Sequence, residues 1–196
     1  MNGIFLPHEI EQRFYGKRSC RLLRTRERDR FEAARVDLVD LGLPDMILGA
    51  SVVFREDASF TFADELDRPE GVSPAFVILC RDDDDQAIDI VAWSPSSERL
   101  ATWLGRAWAI DESRVLQPRP SECDALAVFR DPFQWLRNRR EGIVILDVQR
   151  AKWEFAYLGC TLLVDDVSHG QALRETLTIA PPQIFVAPSV LERRAA

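Results

Sequence analysis

Between Arg13 and Arg30 the chain places Arg13, Lys17, Arg18, Arg21, Arg24, Arg26, Arg28 and Arg30 against only Glu27 and Asp29. Cations spread along one surface neutralise phosphates and other closely spaced anions, so this composition points to an acidic partner. If the stretch is helical, Arg21, Arg24 and Arg28 fall at i, i+3 and i+7 on one face, and Lys17 extends that side. Phe14 and Tyr15 lie beside it and offer rings on which bases stack. The segment carries +6, which leaves −13 for the remainder of a chain whose net charge is −7. That asymmetry also admits a plainer account, towards which the abundance of acid elsewhere weighs: the arginines pair with the protein's own carboxylates and serve the fold.

A second constellation is Asp165-Asp166-Val167-Ser168-His169-Gly170, where acid and imidazole adjoin. Asp166 and His169, three apart, share a helix face on which a carboxylate would orient an imidazole. Asp147 ends the apolar run Ile143–Leu146 and would join them if the strands are neighbours, because carboxyl ends of parallel strands favour active sites. The simpler alternative makes Asp165 or Asp166 a helix N-cap and puts His169 on an exposed turn. No nucleophile or second base is identifiable beside them.

The remaining candidates carry less. Asp82-Asp83-Asp84-Asp85 supplies oxygen ligands of the kind hard cations take, but lacks the alternate spacing, central Gly and distant Glu of a calcium loop. It reads as a solubilising turn, and no metal is expected. The fingerprints GxGxxG, GxxxxGK[ST], HExxH, GxSxG and CxxC are all absent, and His8 and His169 are the only histidines. No cofactor is expected either. Cys20, Cys80, Cys123 and Cys160 are scattered, so packed, reduced thiols are the expectation rather than a disulfide framework. The five tryptophans, Trp93, Trp103, Trp108, Trp135 and Trp153, read as core or interface.

These residues need elements to position them. A chain of 196 residues, 46% hydrophobic and 29% charged, is long enough for a sizeable core. No basic region precedes an apolar run near Met1, and the longest apolar stretches are strand-sized. A soluble cytoplasmic protein without membrane attachment is therefore expected. Residues 1–43 read as a basic helical segment with a break near Gly16 and Ser19-Cys20. Its second helix is expected over Arg26–Leu41, with Phe31, Ala34, Leu38 and Leu41 on one face and Gly42 and Pro44 ending it.

Residues 44–190 read as a mixed body and 191–196 as a tail. Ile47–Phe54, Phe60–Phe62, Ala75–Cys80, Ala87–Trp93, Leu100–Leu104 and, past Gly105, Ala107–Ile110 predict a largely antiparallel meander with Asp82–Asp85 as one turn. From Ala125 onward strands and short helices alternate, which predicts a partly parallel sheet, closing with a strand at Gln183–Val186. The expected class is α+β, with α/β as the variant. The function that fits is a non-enzymatic accessory or interaction protein docking an acidic partner or nucleic acid through Lys17, Arg18, Arg21, Arg24 and Arg28. Two alternatives stand beside it: an enzyme of unfamiliar type built on Asp147, Asp165, Asp166 and His169, and a structural subunit that self-associates through its aromatic residues.

Overall fold

Each described α-helix is started by a polar side chain that accepts a backbone N–H. A computed structural model describes residues 5–42, 46–115, 125–159 and 161–178. Helix α1 (Pro7–Tyr15) has proline at its first position, and the Glu9 carboxylate accepts the Leu6 N–H at 2.7 Å. Helix α2 (Thr25–Ala33) starts the same way, with Glu27 accepting the Arg24 N–H at 2.8 Å. It stops well short of Leu41. Arg35 turns left-handed at φ 58°, and the Val36 N–H donates to the Phe31 carbonyl at 2.8 Å. This is a Schellman closure made by a non-glycine, and burying Val36 against the core offsets the cost of that conformation. The apolar face expected of a longer helix survives the change: Phe31 is buried and Ala34, Leu38 and Leu41 pack beside it.

Among the described residues the fold is α+β, with five α-helices and two sheets. The first sheet orders β1 (Cys20–Arg21), β2 (Ile47–Phe54), β4 (Ser73–Arg81), β5 (Ala87–Ser94) and β6 (Arg99–Thr102), with β3 (Phe60–Phe62) beside β1 on the same edge of β2. All its ladders are antiparallel. The second sheet orders β10 (Thr161–Leu163), β8 (Ala125–Phe129), β9 (Ile143–Ile145) and β7 (Ala109–Ile110). There β10, β8 and β9 run parallel, so the alternation of strand and helix yields the mixed sheet it predicts, but Ala109–Ile110, expected to continue the meander, leaves it to pair β9 antiparallel as β7. The expected strand at Gln183–Val186, the tail at 191–196, Pro44, Cys123 and Cys160 lie outside the described residues.

Strands β4 and β5 read as unbroken apolar runs because both faces of the first sheet are covered. Val77, Leu79, Ile90 and Ala92 face one core with Ile10 and Phe14 of α1, whereas Ile78, Cys80, Val91 and Trp93 face a second core with Phe31. Trp135 and Leu136 of α3 (Pro132–Arg137) close that second core. A third core sits on the second sheet under α4 (Val148–Leu158), with Leu173 and Leu177 of α5 (Val167–Leu177) packed against it. The basic N-terminal segment is thus built into two of the three cores.

Among the described residues one carboxyl group is fully buried. It belongs to Asp89 of β5 and accepts four backbone N–H groups: Ile90 at 2.8 Å, Leu104 at 2.9 Å, Arg106 at 2.7 Å and Ala107 at 3.2 Å. Burial raises its pKa, and the four donors offset that rise only in part. The loop after β6 is wound on this carboxylate.

Candidate functional site

The basic segment does not form one helical stripe. Arg21 falls in β1, Arg24 precedes α2 and Arg28 lies within it, so the i, i+3, i+7 face expected across them is broken by the strand. A strand forms here because Cys20 is an apolar side chain that pairs opposite Ala50 and enters the first core, next to Phe14. Phe14 is therefore buried and presents no ring to a base, while Tyr15 is half exposed.

The cations divide into two groups. Arg13 is consumed: it pairs with Asp64 at 3.0 Å and Glu65 at 2.9 Å, and its guanidinium lies 4.7 Å from the Phe62 ring centroid. Arg21 is consumed as well, by a two-pronged pair with Glu27, both contacts at 2.7 Å. It reaches Glu27 by lying across β2 at Gly49, where an added Cβ would come within 2.6 Å of its Nη1. Arg18 stands 3.4 Å from Asp64 but is 82% exposed, so that pair contributes little. Among the described residues, Lys17, Arg24, Arg26, Arg28, Arg30 and Arg35 have no carboxylate within ion-pair distance, and all six are exposed. The self-pairing account thus holds for Arg13 and Arg21 and fails for these six.

The Arg21 hydrogen bonds hold the Glu27 carboxyl below its ordinary range, against an opposing effect of burial. A carboxyl lowered in the folded state contributes stability above its unfolded pKa and loses it as pH falls through the folded one. Denaturant midpoints measured from pH 6 down to pH 3 should therefore fall less steeply for Glu27→Gln than for the native chain. Parallel curves would show that the pair adds nothing.

Two adjoining concavities lie beside this segment. One, of about 360 Å³, is lined by Lys17, Arg18, Arg21, Arg24, Ser51 and Asp64, among others. The other, of about 340 Å³, shares Lys17, Arg18 and Ser19 with it and is walled by Phe5 and Trp103. Those two rings meet at 4.8 Å between centroids, and the Phe5 carbonyl accepts from Arg106 Nη1 at 2.8 Å. Neither Phe5 nor Trp103 stands out in the sequence as a site residue, since nothing local connects them.

The acid–imidazole cluster has a different partner set from the expected one. His169 is buried, and its Nδ1 lies 2.7 Å from Asp165, not Asp166. Asp166 is the N-cap of α5, accepting the His169 N–H at 2.7 Å and both contacts from Arg130 Nη2, at 2.9 and 2.8 Å. Gln134 Nε2 donates to Asp165 at 3.1 Å. Burial opposes ionisation of Asp165, yet the hydrogen bond with His169 and the nearby Arg130 leave its pKa lowered. The cluster stands outside the carboxyl ends of β8 and β10, which lie side by side and parallel in the second sheet. Asp147 caps α4 through the Gln149 and Arg150 N–H groups. It follows β9, on the far side of β8 from β10, roughly two strand spacings or about 10 Å away. Among the described residues no hydrogen bond joins it to Asp165, Asp166 or His169.

Elsewhere, Asp82–Asp85 forms a turn closed on itself, Asp82 accepting the Asp84 and Gln86 N–H groups at 3.1 and 2.9 Å. Burial pushes the Cys20 thiol up to about 12 and raises Cys80 too, which keeps both as unreactive thiols. Trp93, Trp108 and Trp135 are core residues, whereas Trp153 and Tyr157 are exposed one turn apart on α4. Among the described residues no helix is long and apolar enough to cross a membrane. No protein-family model matches this chain, and no curated protein or solved structure resembles it significantly.

Proposed function

We propose that this protein is a non-enzymatic accessory protein that docks a polyanion, nucleic acid foremost, on the surface of Lys17, Arg24, Arg26, Arg28, Arg30 and Arg35. One observation supports the reading above the rest: these six cations are exposed and lack carboxylate partners among the described residues, on a chain rich in carboxylates. Leaving like charges unneutralised beside one another costs folding free energy, which an acidic partner would recover. Of the carboxylates near them, Glu27 is engaged by Arg21 and Asp64 by Arg13, whereas Asp29 and Glu32 stand on the same helix as Glu27 without an ion pair among the described residues. Anisotropy of labelled nucleic acid, titrated with the protein at several salt concentrations, tests it. Binding that weakens steeply with salt supports a phosphate-contacting surface, and no binding even at low salt defeats the proposal.

A second reading rests on the oriented imidazole. Asp165 fixes one nitrogen of His169 at 2.7 Å, which leaves Nε2 as the nitrogen able to move a proton beside the carboxyl ends of β8 and β10. Such a role requires reagent access to that nitrogen. Carbethoxylation followed by NMR has an internal standard in the exposed His8, and a His169 that resists modification while His8 reacts would end this reading.

A further inference from the structure

We infer that the nucleic acid held on this surface is single-stranded, with one base set against Phe5 and Trp103 and the neighbouring phosphates on Lys17, Arg18 and Arg24. This rests on the docking reading above and narrows it to a substrate class. The two concavities, about 340 and 360 Å³, are each of ligand-pocket size. They differ in chemistry: aromatic rings wall the first, and four of the second's lining residues are Lys17, Arg18, Arg21 and Arg24. They meet along Lys17-Arg18-Ser19. A nucleotide has the same division, an aromatic base and an anionic phosphate joined by one sugar, so a strand would occupy both hollows with adjacent parts.

The polar groups of the aromatic hollow suit a base edge. Gln12 offers both donor and acceptor, and Glu9 and Glu65, each with one oxygen held by the Leu6 N–H or Arg13, would accept from exocyclic amines through the other. Lys17 and Arg18 line both hollows, but the first also carries Glu9 and Glu65, so the phosphates belong in the second, where Arg24 joins the two cations and the one lining carboxylate, Asp64, is already bonded to Arg13 and Ser19. A duplex keeps its base faces stacked on one another, and ring-lined hollows take only bases that have left the stack. The wall itself is built to stay in place. Asp89 holds the N–H groups of Leu104 and Arg106 beside Trp103, and Arg106 in turn holds the Phe5 carbonyl.

The test uses the full chain and four fluorescein-labelled probes at low salt: a 12-nucleotide DNA strand, the same strand in RNA, its DNA duplex, and an abasic DNA strand of equal length. The base-bearing single strand that the site takes, DNA, RNA or both, should bind about 10-fold or more tighter than the abasic strand, the size of one base–aromatic stack. Trp103→Leu should reduce that affinity towards the abasic level, and Trp103→Phe should restore most of the loss. Retained abasic binding also shows that the variant is folded, and if it is not, the native chain's base-bearing and abasic affinities decide. DNA binding with RNA excluded, or the reverse, identifies which strand the site takes within the same chemistry. Equal affinity for base-bearing, abasic and duplex probes overturns the inference while sparing the docking surface. Binding of none of them overturns both.

Discussion

With Lys17, Arg24 and Arg28 all replaced by glutamine, the plot of log affinity against log salt should lose about 2–3 units of slope, close to 0.7–0.9 for each phosphate contact removed. At about 50 mM salt the affinity itself should drop on the order of 10- to 100-fold. The same triple variant should unfold within roughly 0.5 kcal/mol of the native chain, because all three side chains are exposed and without carboxylate partners among the described residues. Arg21→Gln should do the reverse. It breaks the two 2.7 Å contacts to Glu27, costs about 1 kcal/mol of stability and changes the salt slope little. An unchanged slope in the triple variant would mean that these cations do not meet phosphates.

Asp89→Ala should destabilise the fold by roughly 3–5 kcal/mol, the largest single-residue effect anticipated here. The substitution leaves the N–H groups of Ile90, Leu104, Arg106 and Ala107 without their acceptor at a position with no solvent exposure. Asp89→Asn restores one oxygen but aims an amide NH₂ at donors, and should recover only part of the loss. For a chain of this size the drop in melting temperature is on the order of 10 °C. Because the same carboxylate winds the loop after β6, the asparagine variant should also bind single strands less well than the native chain. A native-like denaturation midpoint for Asp89→Ala would show that the loop is held by its apolar contacts alone.

The C-terminal half of the fold is legible in the sequence because its signals are local. Pro132 after Asp131, the run Ile143–Leu146 before Asp147, and Asp166 before Val167 each mark a strand end followed by a capped helix, and the structure places α3, α4 and α5 there. The antiparallel meander is readable for a similar reason, since β4 and β5 are long apolar runs around a polar turn. The basic segment is misread where signals are not local. A two-residue strand such as β1 has no periodicity, and it exists only because Cys20 pairs across from Ala50 and Gly49 leaves room for the Arg21 guanidinium. The end of α2 escapes for the same reason: Arg35 is not a residue that announces a left-handed turn, and the burial of Val36 decides it.

The two candidate sites follow that pattern. Their charged residues can be named from the sequence, but their partners cannot. The Asp165–His169 pairing has an i, i+4 signal, obscured because Asp166 sits at the equally plausible i, i+3 spacing and is spent as the helix cap. Asp89 carries a signal as well, a lone carboxylate in the run Ile88-Asp89-Ile90 with no place in a buried strand unless backbone donors meet it. The Phe5–Trp103 wall has none, because it is assembled by the loop that Asp89 holds.

The most direct test of the docking surface is amide NMR of the uniformly labelled protein, titrated with an unlabelled 12-nucleotide single strand at low salt. The shifts should concentrate in Lys17–Arg35 and around Phe5 and Trp103, leave Arg130 and Asp165–His169 unmoved, and vanish on raising salt. Shifts centred on Arg130, Asp165 and His169 instead, or none at all, would contradict the proposed surface.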